Sequence, residues 1–391
     1  MESQESYQHD FEKSKKMYDN FIDKCYQPYE GYRLTPKSET SPYALCFAIF
    51  GKHLIGKMQS INNEIDFFDS LLRSNLKQYK QKCISQDRDI HSDKGYLQLL
   101  CFTLSALSII DTLKEDSLLE HVSPLIVDKD IMSILESSGT FTGSPGSGNL
   151  AMFYATLLIY SRNYLKLNID ESLDNWVEMH IASINSNGFW GKSDKNLYLQ
   201  FQNGYHQYEI FEYLGIKTNK ENEVANFVYS LSDKIGHFAP YPGGGGCYDY
   251  DAIFVLTMSD GSISDRHKTL LVKSLNTILI EQNVDGGFSE TIYIRPRNNT
   301  NLKVMLNHIK EKPGRVRIER ARYCLTLLRP KHNIIKTHWT EYSREWGESN
   351  LWDSWFRMLA IARIDKSIHL SSSKWGFIDF PGIGYSFQFN K

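Results

Sequence analysis

Along this chain the apolar positions gather in stretches of helical length, and within most of them they recur every three or four residues. That spacing predicts helices at 43–55, 65–76, 96–113, 150–164, 176–184, 205–214, 225–231, 252–258, 268–280 and 352–364. Runs that alternate apolar and polar residues, as half-buried strands do, are almost absent. The pattern therefore predicts an all-α fold. Residues 1–35 read as a polar, tyrosine-rich leader around one helix, with Met17, Tyr18, Phe21 and Ile22 on its apolar face. Residues 36–391 form the main domain.

A repeat lies over these helices. Turns of small residues that end in an aromatic recur at Phe141, Phe189, Phe238 and Phe288, at intervals of 48, 49 and 50 residues. A polar loop and a helix follow each of the first three, with helix starts expected at Asn149, Tyr205 and Tyr248. Upstream, starts near Pro42, Gly95 and Gly148 are spaced by 53 residues, and a sixth member begins at Trp352. About six helical hairpins of this period build either an open solenoid or a closed α/α toroid. An open array needs polar end caps. Closure instead gathers the polar and aromatic residues of the inner-helix starts around one mouth, and closure is what the pattern favours. An enlarged insertion at about 290–350 precedes the last inner helix.

Composition narrows the function. The 23 Tyr, 21 Phe and 7 Trp are enough to line a cavity as well as fill a core. A net charge of −2 gives the molecule no field suited to nucleic acid. The six cysteines form no CxxC pair or zinc-finger spacing, which suits reduced, buried thiols. No apolar run is long enough to span a bilayer, and no signal-type segment opens the chain. A cytoplasmic protein is expected, with peripheral membrane contact left open. Within 291–336, twelve Lys/Arg stand against Glu311 and Glu319 alone. The block is either a solvated face or an anion-binding flap, with Arg315, Arg317 and Arg320 as candidate ligands.

The densest candidate chemistry lies in 235–256, where four glycines, Gly243 to Gly246, deliver Cys247, Tyr248, Asp249, Tyr250 and Asp251 to the start of an apolar helix. Asp249, nearest the bend, is placed to cap that helix. Asp251 sits one step inside, where loss of water raises a carboxyl pKa. Asn203, Tyr205 and His206 are expected to open the fourth inner helix, and Trp352, Asp353 and Trp355 the sixth. Asn149, after a glycine-rich loop, is placed to meet an anion at a helix N-terminus. That loop lacks the Lys-Ser/Thr of a nucleotide-binding loop.

The segment Gln282-x-x-Asp285-Gly286-Gly287-Phe288 resembles the QW-type repeat of squalene and oxidosqualene cyclases and of protein prenyltransferase β subunits. The resemblance implies an α/α toroid with a central, aromatic-lined cavity. The stretch HFAPYPGGGGCYDYDA is similar to the Asp-x-Asp-Asp region of class II terpene cyclases. This implies Asp251 as the acid that protonates an alkene or epoxide and Asp249 as its companion, with Tyr248, Tyr250 or His206 polarising the acid. The last aspartate of that motif is Ala252 here. Gly246-Cys247-Tyr248 resembles the zinc cysteine segment of prenyltransferases, but Gly245 and Trp352–Trp355 stand where that family has its Asp and His, so no metal is expected. The leading expectation is a terpene cyclase-like enzyme acting on a small or lipid-like anionic substrate. It needs no cofactor, and magnesium (Mg) would enter only with a diphosphate. The alternatives are a lyase or hydrolase on an acidic glycan, using Tyr205, His206 and Asp251, or a non-catalytic binding protein on the same fold. The oligomeric state is not legible.

Overall fold

The computed structural model describes residues 4–114, 117–258, 263–329, 334–335, 337 and 344–386. The first half holds α1 (Gln4–Cys25), α2 (Pro42–Leu54), α3 (Ile65–Ser85), α4 (Lys94–Ile109), α5 (Leu119–Ile126), α6 (Ile131–Ser137), α7 (Ser147–Asn163) and α8 (Asp170–Ala182). The second holds α9 (Leu197–Leu214), α10 (Glu221–Leu231), α11 (Gly246–Thr257), α12 (Asp265–Ile280), α13 (Asn299–Glu311), α14 (Gly314–Leu327) and α15 (Leu351–Ile368). Among the described residues, β structure is confined to two two-residue ribbons and isolated bridges. The all-α expectation holds.

Six of these helices are buried nearly all round rather than along one stripe, as helices enclosed in a core are. They are α2, α4, α7, α9, α11 and α15, each with almost every residue buried. Each packs on the next in that order, and α15 returns to α2, so the inner ring is closed. The outer layer is amphipathic. There α3 bridges α2 and α4, α5, α6 and α8 back α7, α10 backs α11, and α12 backs α15. The N-terminal helix α1 packs on α2 and α15, filling the outer position between the last and first inner helices.

Local chemistry sets the helix starts. Asp93 accepts from Tyr96 N at 2.7 Å to cap α4, and Asn350 accepts from Asp353 N at 3.0 Å to cap α15. The turns between layers share one geometry. Asn185 N, Asp233 N and Asn283 N each donate to the carbonyl four residues on, at 2.7, 2.8 and 2.9 Å. Gly188, Gly236 and Gly286 take φ of 84°, 100° and 99° inside those turns. At the far end the chain returns as a plug. Phe380 packs on Tyr160 and Tyr164, and Tyr385 on Tyr213, near the C-termini of α7 and α9.

The motif at Gln282 works between layers. Gln282 Nε2 donates to Ser14 O in α1 at 3.1 Å and to Gly286 O at 2.8 Å, while Phe288 N donates to Ser354 Oγ in α15 at 2.8 Å. A methyl group on Gly286 would stand 1.9 Å from Met17 O. Gly286→Ala should therefore cost on the order of 2–3 kcal/mol, combining left-handed strain with a backbone clash. At Gly215, φ is +69° and nothing lies within 4 Å of an added Cβ, so alanine there should cost only about 1 kcal/mol. Urea unfolding of the two variants measures the difference, and equal losses would detach α1 from this joint.

Candidate functional site

Five of the six inner helices, α4, α7, α9, α11 and α15, line a cavity of about 300 Å³. Lys94 and Gln98 enter from α4, Asn149 from α7, and Gln202, Asn203, Tyr205 and His206 from α9. Cys247 and Asp251 come from α11, Trp352 and Phe356 from α15. Tyr323 of α14 and Ile383 of the C-terminal plug complete the wall. A wider groove of about 1050 Å³ runs along residues such as Lys37, Val284 and Glu345, but it gathers none of the inner-helix starts.

Asp251 is 1% exposed and lines this cavity. Burial, with the nearby charge of Glu209 second, lifts its carboxyl well above the usual carboxylate range, so the neutral acid is favoured. The Tyr205 hydroxyl is its hydrogen-bonding neighbour, and Oδ1 has no partner. Beneath it, buried Glu209 accepts from Tyr250 Oη at 3.1 Å and from Gly384 N at 3.3 Å. Glu209 lies four residues after Tyr205, on the same face of α9. A carboxylate in the middle of an otherwise enclosed helix was the signal for it.

Asp249 does not cap α11. The N-cap position is Gly245, and it makes no side-chain cap. The Asp249 carboxylate instead pairs with the Arg357 guanidinium, takes His237 Nδ1 at 2.7 Å, and accepts from Phe238 N at 2.9 Å. Arg357 also donates to the carbonyls of Gly243 and Gly244 at 2.8 and 2.6 Å. The His237 Nε2 reaches Glu281 at 2.9 Å. Burial alone would lower the His237 pKa, but Asp249 and Glu281 overcome it and push it from 6.5 up to about 10.

The other expected residues divide between cavity and scaffold. Helix α9 begins at Leu197, so Asn203, Tyr205 and His206 sit inside it rather than at its start. The added turns persist because Glu319 of α14 accepts from Leu197 N at 2.8 Å and Tyr198 N at 3.3 Å. Asn149 hydrogen-bonds the Nε2 of His206, and burial together with the Lys94 charge holds that imidazole well below its usual pKa. Asn203 pins the glycine-rich loop through Gly146 N and Ser144 O, at 3.2 and 2.9 Å. Tyr248 packs on Tyr241 and Phe201, and Trp355 stacks on Phe47, so neither lines the cavity. Asp353 is held by Asn350 at 2.6 Å and Arg344 at 3.3 Å. Nor do the three arginines of the insertion line the cavity. Arg315 pairs with Asp194, Arg317 donates to Lys312 O, and fully buried Arg320 binds Tyr198 Oη, His308 O and Leu231 O. Arginine density gave no means of telling these anchors from ligands. Lys331 and Lys336 of the basic block lie outside the described residues.

A family model for the prenyltransferase alpha-alpha toroid domain matches residues 71–296, from α3 through α12 to the edge of the insertion. The chain belongs to this family. No curated protein and no solved structure matches it. The zinc chemistry of some relatives does not fit the side chains present. Cys247 has Gly245 before it and a committed Asp353 opposite, and among the described residues no three His, Cys, Asp or Glu side chains cluster as ligands.

The ion cluster predicts how stability varies with pH. His237 gains its proton's stabilisation on folding, so the benefit is complete below about pH 6.5 and drains away as pH rises toward 10. Urea midpoints should fall across that alkaline window, and His237→Gln should flatten the fall. Asp249→Asn should cost about 3–5 kcal/mol, the loss expected when a buried partner charge is stranded. A loss of about 1 kcal/mol, typical of a helix cap, would contradict this role.

Proposed function

We propose that this member of the prenyltransferase α/α toroid family is an acid-initiated cyclase of a small, unsaturated prenyl-type substrate, with Asp251 as proton donor. One observation carries the reading: a buried carboxyl, favoured as the neutral acid, lines an aromatic-walled cavity and keeps one oxygen unpartnered. In such a reaction the acid O–H bond breaks and the proton passes to an alkene carbon or an epoxide oxygen. Asp251 becomes a carboxylate and the substrate a carbocation. A second alkene attacks that centre and closes a ring. Loss of a proton from a neighbouring carbon ends the sequence, and reprotonation of Asp251 resets it.

The remaining wall suits these steps. Tyr205, Trp352 and Phe356 offer ring faces to a migrating positive charge. The Tyr205 hydroxyl holds the carboxyl in orientation. Lys94 at the rim, beside Asn149 and Asn203, is the cation available to an anionic head group, a role the insertion arginines do not share. At about 300 Å³ the cavity is at the lower end of small-molecule sites, which favours a short chain. Magnesium would accompany only a diphosphate head and enters none of these steps. The polar side of the wall, where buried His206 leaves Nδ1 unpartnered, supports a second reading as a lyase or hydrolase on an acidic sugar.

Incubation with short prenyl diphosphates and, in parallel, acidic oligosaccharides, followed by mass spectrometry, separates the two. Cyclised isomers of the prenyl substrate are expected. Asp251→Asn should lower turnover by roughly 10²–10⁴-fold. Full activity in that variant would remove Asp251 from the chemistry, and cleavage of the sugar alone would transfer the reading to the glycan enzyme.

A further inference from the structure

The insertion hairpin turns its polarity inside out. Along α14 the exposed positions Arg315, Ile318, Arg322 and Leu325 fall at steps of three and four, and exposed Arg329 continues the row just past the helix end. That spacing places the four helical positions on one stripe. Ile318 is 59% and Leu325 66% exposed. On α13, Leu302 and Leu306 are exposed beside Lys303 and Lys310. Residues 299–329 contain eight Lys/Arg, and their two acids both turn inward. Glu319 caps α9, and Glu311 lies 3.6 Å from buried Arg320.

A merely solvated basic face has no use for isoleucine and leucine set between its arginines. Nucleic acid would use the charges and leave the aliphatic side chains unpaired. A bilayer surface takes both, with phosphate groups for the cations and the acyl boundary for the apolar side chains. We propose that the α13–α14 hairpin is a docking surface for membranes containing anionic phospholipid. Its inner face already belongs to the site, because Tyr323 of α14 lines the cavity. Docking would therefore hold the cavity about one helix diameter, roughly 10 Å, from the lipid surface. The proposal does not depend on the cyclase reading.

The test is co-sedimentation of the full chain with phosphatidylcholine vesicles made with and without phosphatidylglycerol. Binding is expected only with phosphatidylglycerol, and it should weaken as salt rises. Arg322→Ala should weaken it roughly fivefold, the loss expected for one basic side chain at an anionic surface. Ile318→Asp with Leu325→Asp should abolish it with circular dichroism unchanged. Lys268→Ala, an exposed change on α12, should leave binding as it was. The milder Ile318→Ser and Leu325→Ser pair repeats the apolar test should the aspartates unfold the hairpin. The proposal is overturned if the vesicles are not bound, or if the apolar substitutions leave binding intact. Tight RNA binding that needs the arginines but neither Ile318 nor Leu325 would also overturn it. Asp251-dependent turnover of a water-soluble substrate should survive these changes, so failure here and failure of the cyclase reading can be told apart.

Discussion

The ring depends on a buried pair of charges. Asp249 and Arg357 meet where the last two inner helices, α11 and α15, pack together, and neither side chain is more than 2% exposed. Two charges taken out of water must satisfy one another and nearly every remaining donor and acceptor. They do so by enlisting His237, Glu281 and the carbonyls of Gly243 and Gly244. One cluster thus joins the glycine bend, the end of an outer helix and both inner helices. The bend must follow it closely. Gly243 takes φ +84°, and a Cβ there would stand 2.3 Å from Thr291 Oγ1.

This constraint also aims the acid. Two positions along a helix turn a side chain through about 200°. With Asp249 committed to the cluster, Asp251 is directed away from it and into the cavity. The same bend therefore supplies a scaffold carboxyl group whose oxygens are fully paired, and a second carboxyl that burial favours as neutral. Their environments, rather than their residue type, separate the two roles. The insertion divides in a similar way. Its inward groups, Glu319 and Arg320, extend and brace α9. Its outward groups form the basic and apolar stripe.

The repeat was legible because each hairpin must bury its own apolar face, and that requirement leaves a period near 50 residues in the sequence. Closure was legible from the polar and aromatic residues gathered at the inner-helix starts, since the period alone also suits an open solenoid. Asp251 stood out as a carboxyl one step inside an apolar helix. Asp249 was misread because capping is a local habit, whereas its partner Arg357 lies 108 residues away. The start of α9 was misread for the same reason, since Glu319 approaches from 122 residues further on. Ile383, Tyr323 and Lys94 reach the cavity from a plug, an insertion and a helix start whose residue types carry no chemical motif. Sequence pattern recovered what each segment does for itself. It missed what distant segments do for one another.

The central claim is that the fold presents Asp251 to the cavity as a neutral acid. Carbon-13 labelling of aspartate side chains, read by NMR across a pH titration, tests this directly. The Asp251 resonance is identified by its absence in Asp251→Asn, and the label leaves Glu209 silent. The account predicts a carboxyl resonance that titrates well above the usual aspartate range. A resonance already at the carboxylate value at pH 7, titrating near the usual aspartate range, would contradict it.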